Sequence, residues 1–160
     1  MDKDADFLPS LDVVLSETKV ALDRQFEQIS SLDLKLGVLL GLSGVILAAL
    51  LGFPLIRNGD MATRSLLIGA VALVLVSLVF ATWGYWIRKY KGTPAPRALR
   101  DFYLMEEPER TKLAVTDYVV EVYEWNQKRI ASKVKYTHIS FVFVFLGALI
   151  IGVTILYNLL

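Results

Sequence analysis

Three long apolar runs constrain this chain more than any other feature of its sequence. They cover residues 34–56, 65–87 and 137–160. The first contains one charged residue, Lys35 near its start, and the other two contain no Asp, Glu, Lys or Arg. At 1.5 Å per residue each run reaches roughly 35 Å as a helix, enough to cross a hydrocarbon core of about 30 Å. The sequence therefore predicts an all-α integral membrane bundle with three transmembrane helices, rather than a soluble bundle of buried helices.

The composition agrees with a membrane protein and argues against several other classes. Apolar residues make up 55% of the chain, and the mean hydropathy is +0.52. The 17 basic and 16 acidic residues nearly balance, so the net charge gives no reason to expect nucleic-acid binding. Cysteine is absent and His138 is the single histidine, which argues against disulfides, zinc sites and His-dependent triads. We therefore expect no metal and no cofactor and, since no Walker, GxSxG or HExxH motif is present, no enzyme.

The distribution of Lys and Arg predicts the orientation of the chain. Basic residues follow the second run at 88–91 and precede the third at 128–135, whereas the short segment 57–64 holds only two of them. Because cytoplasmic loops are enriched in Lys and Arg, we expect segments 1–33 and 88–136 in the cytoplasm and the loop 57–64 outside. The C-terminal end of the run 137–160 should then also emerge outside.

Both cytoplasmic segments are predicted to form helices that continue into the membrane. Residues 10–33 carry apolar side chains every seven residues, at Leu15, Leu22 and Ile29, and no Gly or Pro lies between residues 10 and 36. A second helix is predicted from Glu109, after a Pro-containing loop, and it too reaches the membrane without a helix breaker. The first and third transmembrane helices should therefore extend into a cytoplasmic helical collar.

The two cytoplasmic segments carry opposite charge. Residues 1–33 hold eight acidic and three basic residues, whereas residues 88–136 hold eleven basic and seven acidic residues. Asp33 reaches the membrane at about the level at which Lys133 and Lys135 do, so we expect an interhelical ion pair among these three residues. The alternative is that they are solvated, since exposed ion pairs contribute only about 0–1 kcal/mol each.

Small and polar residues form one stripe along each apolar run, and such stripes let helices approach closely in lipid. The first is predicted to be a helix-packing seam of Gly37, Gly41, Gly44, Ala48 and Gly52. The second consists of Ala70, Ser77, Ala81 and Gly84. The third consists of Ser140, Gly147, Thr154 and Asn158, which either pack against another helix or line a pore. Three helices are too few to enclose a conducting path, so we expect a homo-oligomer in the lipid bilayer.

Candidate ligand-binding residues lie between the second and third runs. Arginine can bind phosphate through two parallel hydrogen bonds, and aromatic rings can stack on a base. The same cations are explained equally by the enrichment of Lys and Arg in cytoplasmic loops. Asn126 lies on the apolar face of its helix, where it could fix helix register or contact a ligand. The candidates are Arg88, Lys89, Lys91, Arg97, Arg100, Tyr103 and Asn126.

Two short motifs resemble those of a known family. Entering the first run, Asp33, Lys35, Gly37, Leu39 and Leu40 match a D-x-K-x-G-x-L-L pattern. Before the last run, Asn126, Ile130 and Ala131 follow an N-x-x-I-A-x-K pattern with one additional residue after Asn126, and Lys133 or Lys135 stands for its lysine. In these motifs and in its layout, the chain resembles the transmembrane effector family of bacterial Pycsar antiphage systems.

The resemblance implies a function and a location. In that family a partner cyclase makes cyclic CMP or cyclic UMP, and the effector responds by assembling or opening in the inner membrane and collapsing the membrane potential. The resemblance therefore implies a nucleotide-responsive, pore-forming homo-oligomer in the bacterial inner membrane. A different class stays open, namely a non-conducting membrane scaffold or regulatory subunit that docks a cytoplasmic partner.

Overall fold

The computed structural model describes residues 10–52, 59–87 and 89–159, and these form four helices and no strand. The helices are α1 (Leu11–Leu51), α2 (Met61–Trp86), α3 (Pro96–Tyr103) and α4 (Pro108–Leu159). Three of them, α1, α2 and α4, are long and apolar enough to cross a membrane. The prediction of an all-α bundle with three transmembrane helices is therefore confirmed.

The two longest helices are continuous because their sequences contain nothing that stops a helix. Helix α1 spans 41 residues, and the first residue after it is Gly52. Helix α4 spans 52 residues and begins at Pro108, one residue before the predicted start. Proline is favoured in the first turn of a helix, where its missing N–H would have no intrahelical partner.

Helix α2 begins earlier than the apolar run within it. The Asp60 carboxylate accepts a hydrogen bond of 2.9 Å from the backbone N–H of Thr63, which caps the helix at its first turn. The hydrogen bonding from Thr63 also lowers the pKa of Asp60 below its usual value. Residues 61–64, assigned to a loop from the sequence, are consequently helical.

The chain divides into two compact units, and both α1 and α4 contribute to each. Of the described residues, 10–30 and 89–130 form one unit, which we call the polar unit. Residues 31–52, 59–87 and 131–159 form the other, which we call the membrane unit because it contains the three apolar runs.

The core of the polar unit joins α1 to α4 at heptad positions. Leu22 of α1 packs against Val119 and Val122 of α4, and all three side chains are buried. Gln25 is buried beside them, and its Nε2 donates hydrogen bonds to the carbonyl of Tyr123 at 3.0 Å and to the side chain of Gln127 at 3.2 Å. The amide nitrogen of Gln25 on α1 thus finds partners on α4 beside this apolar core.

Helices α2 and α4 approach each other closely in the membrane unit. A Cβ atom at Gly147 of α4 would lie 2.9 Å from Val74 Cγ2 and 3.3 Å from the carbonyl oxygen of Ala70, so glycine is needed for α2 to pack there. Ser77 and Ser140 bond reciprocally, each hydroxyl donating to the other's carbonyl at 2.8 and 3.0 Å. In lipid, small residues and interhelical hydrogen bonds of this kind are what favour helix association.

Candidate functional site

An ion pair links α1 to α4 near the start of the apolar runs. The Lys133 Nζ lies 2.5 Å from Asp33 Oδ1, and it also donates to the carbonyl of Ile87, which follows α2, at 3.4 Å. The Lys133 side chain is 0% exposed and that of Asp33 is 35% exposed. Of the two lysines considered from the sequence, Lys133 takes this position, whereas Lys135 is exposed.

Burial makes this pair different from a surface ion pair. An ammonium group with no access to water needs its counter-ion, because the desolvation of an unpaired charge costs several kcal/mol. The same ammonium reaches elements from all three apolar helices, since Asp33 is on α1 and Ile87 directly follows α2. The pair therefore fixes how the three helices meet at one end of the membrane unit.

The buried amide of Asn126 holds a loop of the polar unit. Its Nδ2 donates to the Lys91 carbonyl at 2.9 Å, and its Oδ1 accepts from the Lys91 N–H at 3.0 Å. The amide thereby satisfies two backbone groups of a segment that has no helix or sheet partner of its own. Asn126 thus fixes the loop that follows α2, a role that neither sequence interpretation specified.

Two cations lie over the ring of Trp125, the residue before Asn126. The Arg129 guanidinium carbon lies 3.7 Å from the centre of the Trp125 ring system, and Lys91 Nζ lies 5.4 Å from it. Lys91 Nζ also pairs with Glu121 at 2.9 Å. A cation over an indole face gains about 0.5–1 kcal/mol at an exposed site. Trp125 and Glu121 therefore hold the Lys91 side chain in position.

The predicted ligand-binding residues are not gathered at one point. Lys89 and Arg97 are exposed, and Arg100 pairs with Asp101 at 2.7 Å. Arg88 and the side chain of Tyr103 lie outside the described part of the chain. Of the remaining candidates, Lys91 and Asn126 contact each other through the loop backbone rather than through a shared cavity.

The polar unit does contain a groove that one of these residues lines. It has a volume of about 610 Å³ and lies among α1, α3 and the start of α4. Its charged lining is Lys19, Arg100, Lys112 and Glu106, and its apolar lining includes Leu15, Leu99, Leu104 and Val115. Lys19 and Lys112 were not among the residues predicted from the sequence, although Lys19 lies one helical turn after the heptad position Leu15.

Two of the groove's cations are engaged in weak ion pairs. Lys112 Nζ lies 2.9 Å from Asp12, whose carboxylate raises the pKa of Lys112 above its usual value, and Arg100 pairs with Asp101. These pairs are largely exposed, and such pairs contribute about 0–1 kcal/mol each. An anion entering the groove would therefore exchange partners with Arg100 and Lys112 at little cost.

The polar stripe of the third run faces helix α2. Ser140 bonds to Ser77, Gly147 packs on Val74, and Asn158 donates to Thr63 Oγ1 at 3.2 Å. Thr154 is buried and donates to its own helix at Ile150. Within one protomer this stripe therefore packs against a helix, because its hydroxyl and amide groups find partners on α2 and on α4 itself.

The glycine stripe of α1 has the opposite environment. A Cβ atom at Gly37, Gly41 or Gly44 would meet nothing within 4 Å, Ala48 is exposed, and Gly52 approaches only carbonyls of its own helix. The predicted packing seam therefore contacts no other helix within the described part of this chain. The apolar side chains that do pack inward from α1 are Leu36, Leu39 and Leu50, on another face of the helix.

Comparison with known families adds one match. The family described as PycTM, Pycsar effector protein domain, matches residues 17–158. No curated protein and no solved structure matches the chain. The matched region covers the glycine stripe, the Asp33–Lys133 pair, all of α2 and α3, the Asn126 contact and every lining residue of the groove except Leu15.

Proposed function

The chain belongs to the Pycsar effector family, and from that premise we propose that it disrupts the inner membrane when a cyclic nucleotide binds its polar unit. Membership makes it a multi-pass membrane effector of antiphage defence. The finer proposal is that cyclic CMP or cyclic UMP drives copies of the chain to assemble or open, which dissipates the membrane potential without a catalytic step. The polar unit is then cytoplasmic, where a partner cyclase releases its product.

The groove of the polar unit is the site we propose for the nucleotide. Three cations and one carboxylate line it, so it favours a ligand with negative charge. Its volume of about 610 Å³ falls within the ~300–1,000 Å³ of typical small-molecule sites. Leu99, Leu104 and Val115 supply an apolar wall for a base and sugar, and Arg100 supplies a donor fork for a phosphate.

The open stripe of α1 is the surface we propose for assembly. The observation that supports this most directly is the contrast between the stripes, since the third faces α2 while the first faces no helix among the described residues. Glycines at this spacing allow two helix backbones to approach closely in lipid. A neighbouring protomer is therefore the natural partner for Gly37, Gly41 and Gly44.

Charge reversal in the groove tests the nucleotide site. We expect Arg100→Glu to abolish the binding of cyclic CMP or cyclic UMP to the detergent-solubilised protein, and to abolish nucleotide-dependent loss of membrane potential in cells. Arg97→Glu is the matched control, because Arg97 is exposed on the same short helix but does not line the groove. An inserted Arg100→Glu protein that responds like the wild type excludes this groove as the sensor.

Large side chains on the stripe test assembly. Gly41→Leu and Gly44→Leu should block oligomer formation measured by size in detergent, and should prevent depolarisation. Gly69→Leu is the control, because Gly69 is an equally open glycine on α2. If the stripe variants assemble and depolarise cells as the wild type does, the stripe is not the contact.

The same measurements distinguish an effector from a scaffold. A non-conducting scaffold would leave the membrane potential and cell growth unchanged at any nucleotide concentration, even where the protein is inserted. Depolarisation that needs both the chain and the nucleotide supports the effector.

A further inference from the structure

A groove in the membrane unit runs between α1 and α4, and its lining residues Val38, Leu42 and Phe141 are exposed. Its volume is about 490 Å³. Val38, Leu39 and Leu42 of α1 and Phe141 of α4 form its apolar wall, with Lys35 and His138 also lining it. Phe141 stacks on Phe145 of the same helix, with ring centres 6.3 Å apart, which supports the aromatic part of the wall.

The polar residues lie at one end of this groove. Lys35 and His138 each come at the start of an apolar run, whereas Leu42 lies about two helical turns, or roughly 10 Å, further along α1. The groove therefore has a basic end at the beginning of the runs and an apolar end deeper within them.

Lys35 forms no ion pair among the described residues. Within the part of the chain that the structure describes, no carboxylate lies within 4 Å of its ammonium group. Asp33 is two residues away, but positions two apart point to different sides of a helix, and Asp33 already pairs with Lys133.

A second apolar groove in the same unit provides a comparison. It has a volume of about 530 Å³ and is lined by Leu78, Val79, Thr82, Trp83 and Trp86 of α2. Its size and apolar character are similar, but no charged residue lines it. A ligand that recognises charge should therefore distinguish the two grooves.

We propose that the groove between α1 and α4 binds one anionic phospholipid. The phosphate lies at Lys35 and His138, and the part of one acyl chain nearest the head group lies along Leu39, Leu42 and Phe141. Basic residues between transmembrane helices at the cytoplasmic side are a recognised way to hold acidic lipid head groups.

Charge complementarity favours a lipid over a second copy of the chain as the occupant. The apolar runs of this protein contain no Asp or Glu, and Asp33, next to the first run, is paired within its own protomer. A second copy therefore brings no free carboxylate to Lys35 at this depth. An anionic phospholipid brings a phosphate and an acyl chain in the order in which the groove presents its basic and apolar ends.

Native mass spectrometry of the full chain, released from nanodiscs of equal phosphatidylglycerol and phosphatidylcholine, measures which lipid is retained. The wild type should retain phosphatidylglycerol preferentially. Lys35→Gln should reduce that preference about fivefold, the ratio that corresponds to about 1 kcal/mol for one basic residue near an anionic surface. Lys35→Arg should keep it.

Lys135→Gln is the matched control, because Lys135 is an exposed lysine one turn before His138 that does not line the groove. Equal preference in the wild type and Lys35→Gln would overturn the proposal, and so would equal losses in Lys35→Gln and Lys135→Gln, which would indicate diffuse attraction. A single-cysteine variant Phe141→Cys, on the α4 wall of the groove rather than beside the glycine stripe of α1, that forms disulfide-linked dimers in the membrane would show that a second copy fills the groove, which also overturns it. The chain has no native cysteine to confuse this readout.

Discussion

Replacing Asp33 with Asn should destabilise the membrane unit more than replacing its partner Lys133 with Met. The two changes break the same ion pair, but they leave different groups behind. Asp33→Asn leaves an ammonium group that is 0% exposed and has lost its counter-ion, whereas Lys133→Met leaves a carboxylate that is 35% exposed and can be hydrated. The asymmetry follows from the burial of each partner.

The magnitudes follow from the same geometry. Removing one partner of a buried pair costs about 3–5 kcal/mol when the remaining charge stays buried, so Asp33→Asn should fall in this range. Lys133→Met should cost about 1.5–3 kcal/mol, close to a lost hydrogen bond to a charged group.

The free energy of unfolding in mixed detergent micelles, measured by SDS titration, tests this order. The double variant Asp33→Asn with Lys133→Met should be more stable than Asp33→Asn alone, because it removes the buried charge that Asp33→Asn leaves unpaired. Lys135→Met, at an exposed lysine, is the control and should change stability by less than about 0.5 kcal/mol. If Lys133→Met costs as much as Asp33→Asn, or if the double variant equals the sum of the single losses, the argument from burial is refuted.

Three further outcomes are expected. Gly147→Ala should destabilise the unit by about 1–3 kcal/mol in the same titration, because its Cβ would overlap Val74, whereas Gly152→Ala, in open space, should not. Asn126→Ala should increase hydrogen exchange at the Lys91 amide, and unchanged exchange would show that the side chain does not hold the loop. The pKa of Asp60 is lowered by folding, so its stabilisation is present above the ordinary pKa of 3.8 and is lost as pH falls through the folded pKa. Thermal unfolding should show a smaller loss of stability on acidification for Asp60→Asn than for the wild type.

The sequence determined the elements of this protein because the deciding interactions are local. A run of more than twenty residues without charge must satisfy its backbone groups internally in lipid, and only a helix does so within one segment. The heptad spacing of α1 likewise identified its inward face, since Leu22, Ile29 and Leu36 are all buried. Helices α4 and α2 begin at Pro108 and Met61, one and four residues before the starts predicted from the sequence, where a proline and the Asp60 cap favour the first turn.

The candidate sites depend on contacts between distant segments, and the sequence left these open. The groove of the polar unit combines Lys19 with Arg100 and Lys112, which are more than eighty residues away in the chain. Asn126 was singled out as a polar residue on an apolar face, but its partner is a loop backbone that carries no sequence signal. The spacing of small, polar or apolar residues shows which face of a helix carries them, but it does not show which other segment that face contacts.

Only the tertiary structure showed which lysine pairs with Asp33 and which helix stripes face each other. The sequence left both Lys133 and Lys135 open as partners of Asp33, but only Lys133 is on the buried face of α4 and reaches Asp33. The three small-residue stripes were likewise equivalent as sequences, and the fold places the stripes of α2 and α4 against each other while leaving that of α1 uncovered. The physical reason is that each helix can bury one face against its neighbours, and which faces meet depends on the packing of all three helices together rather than on any one of them.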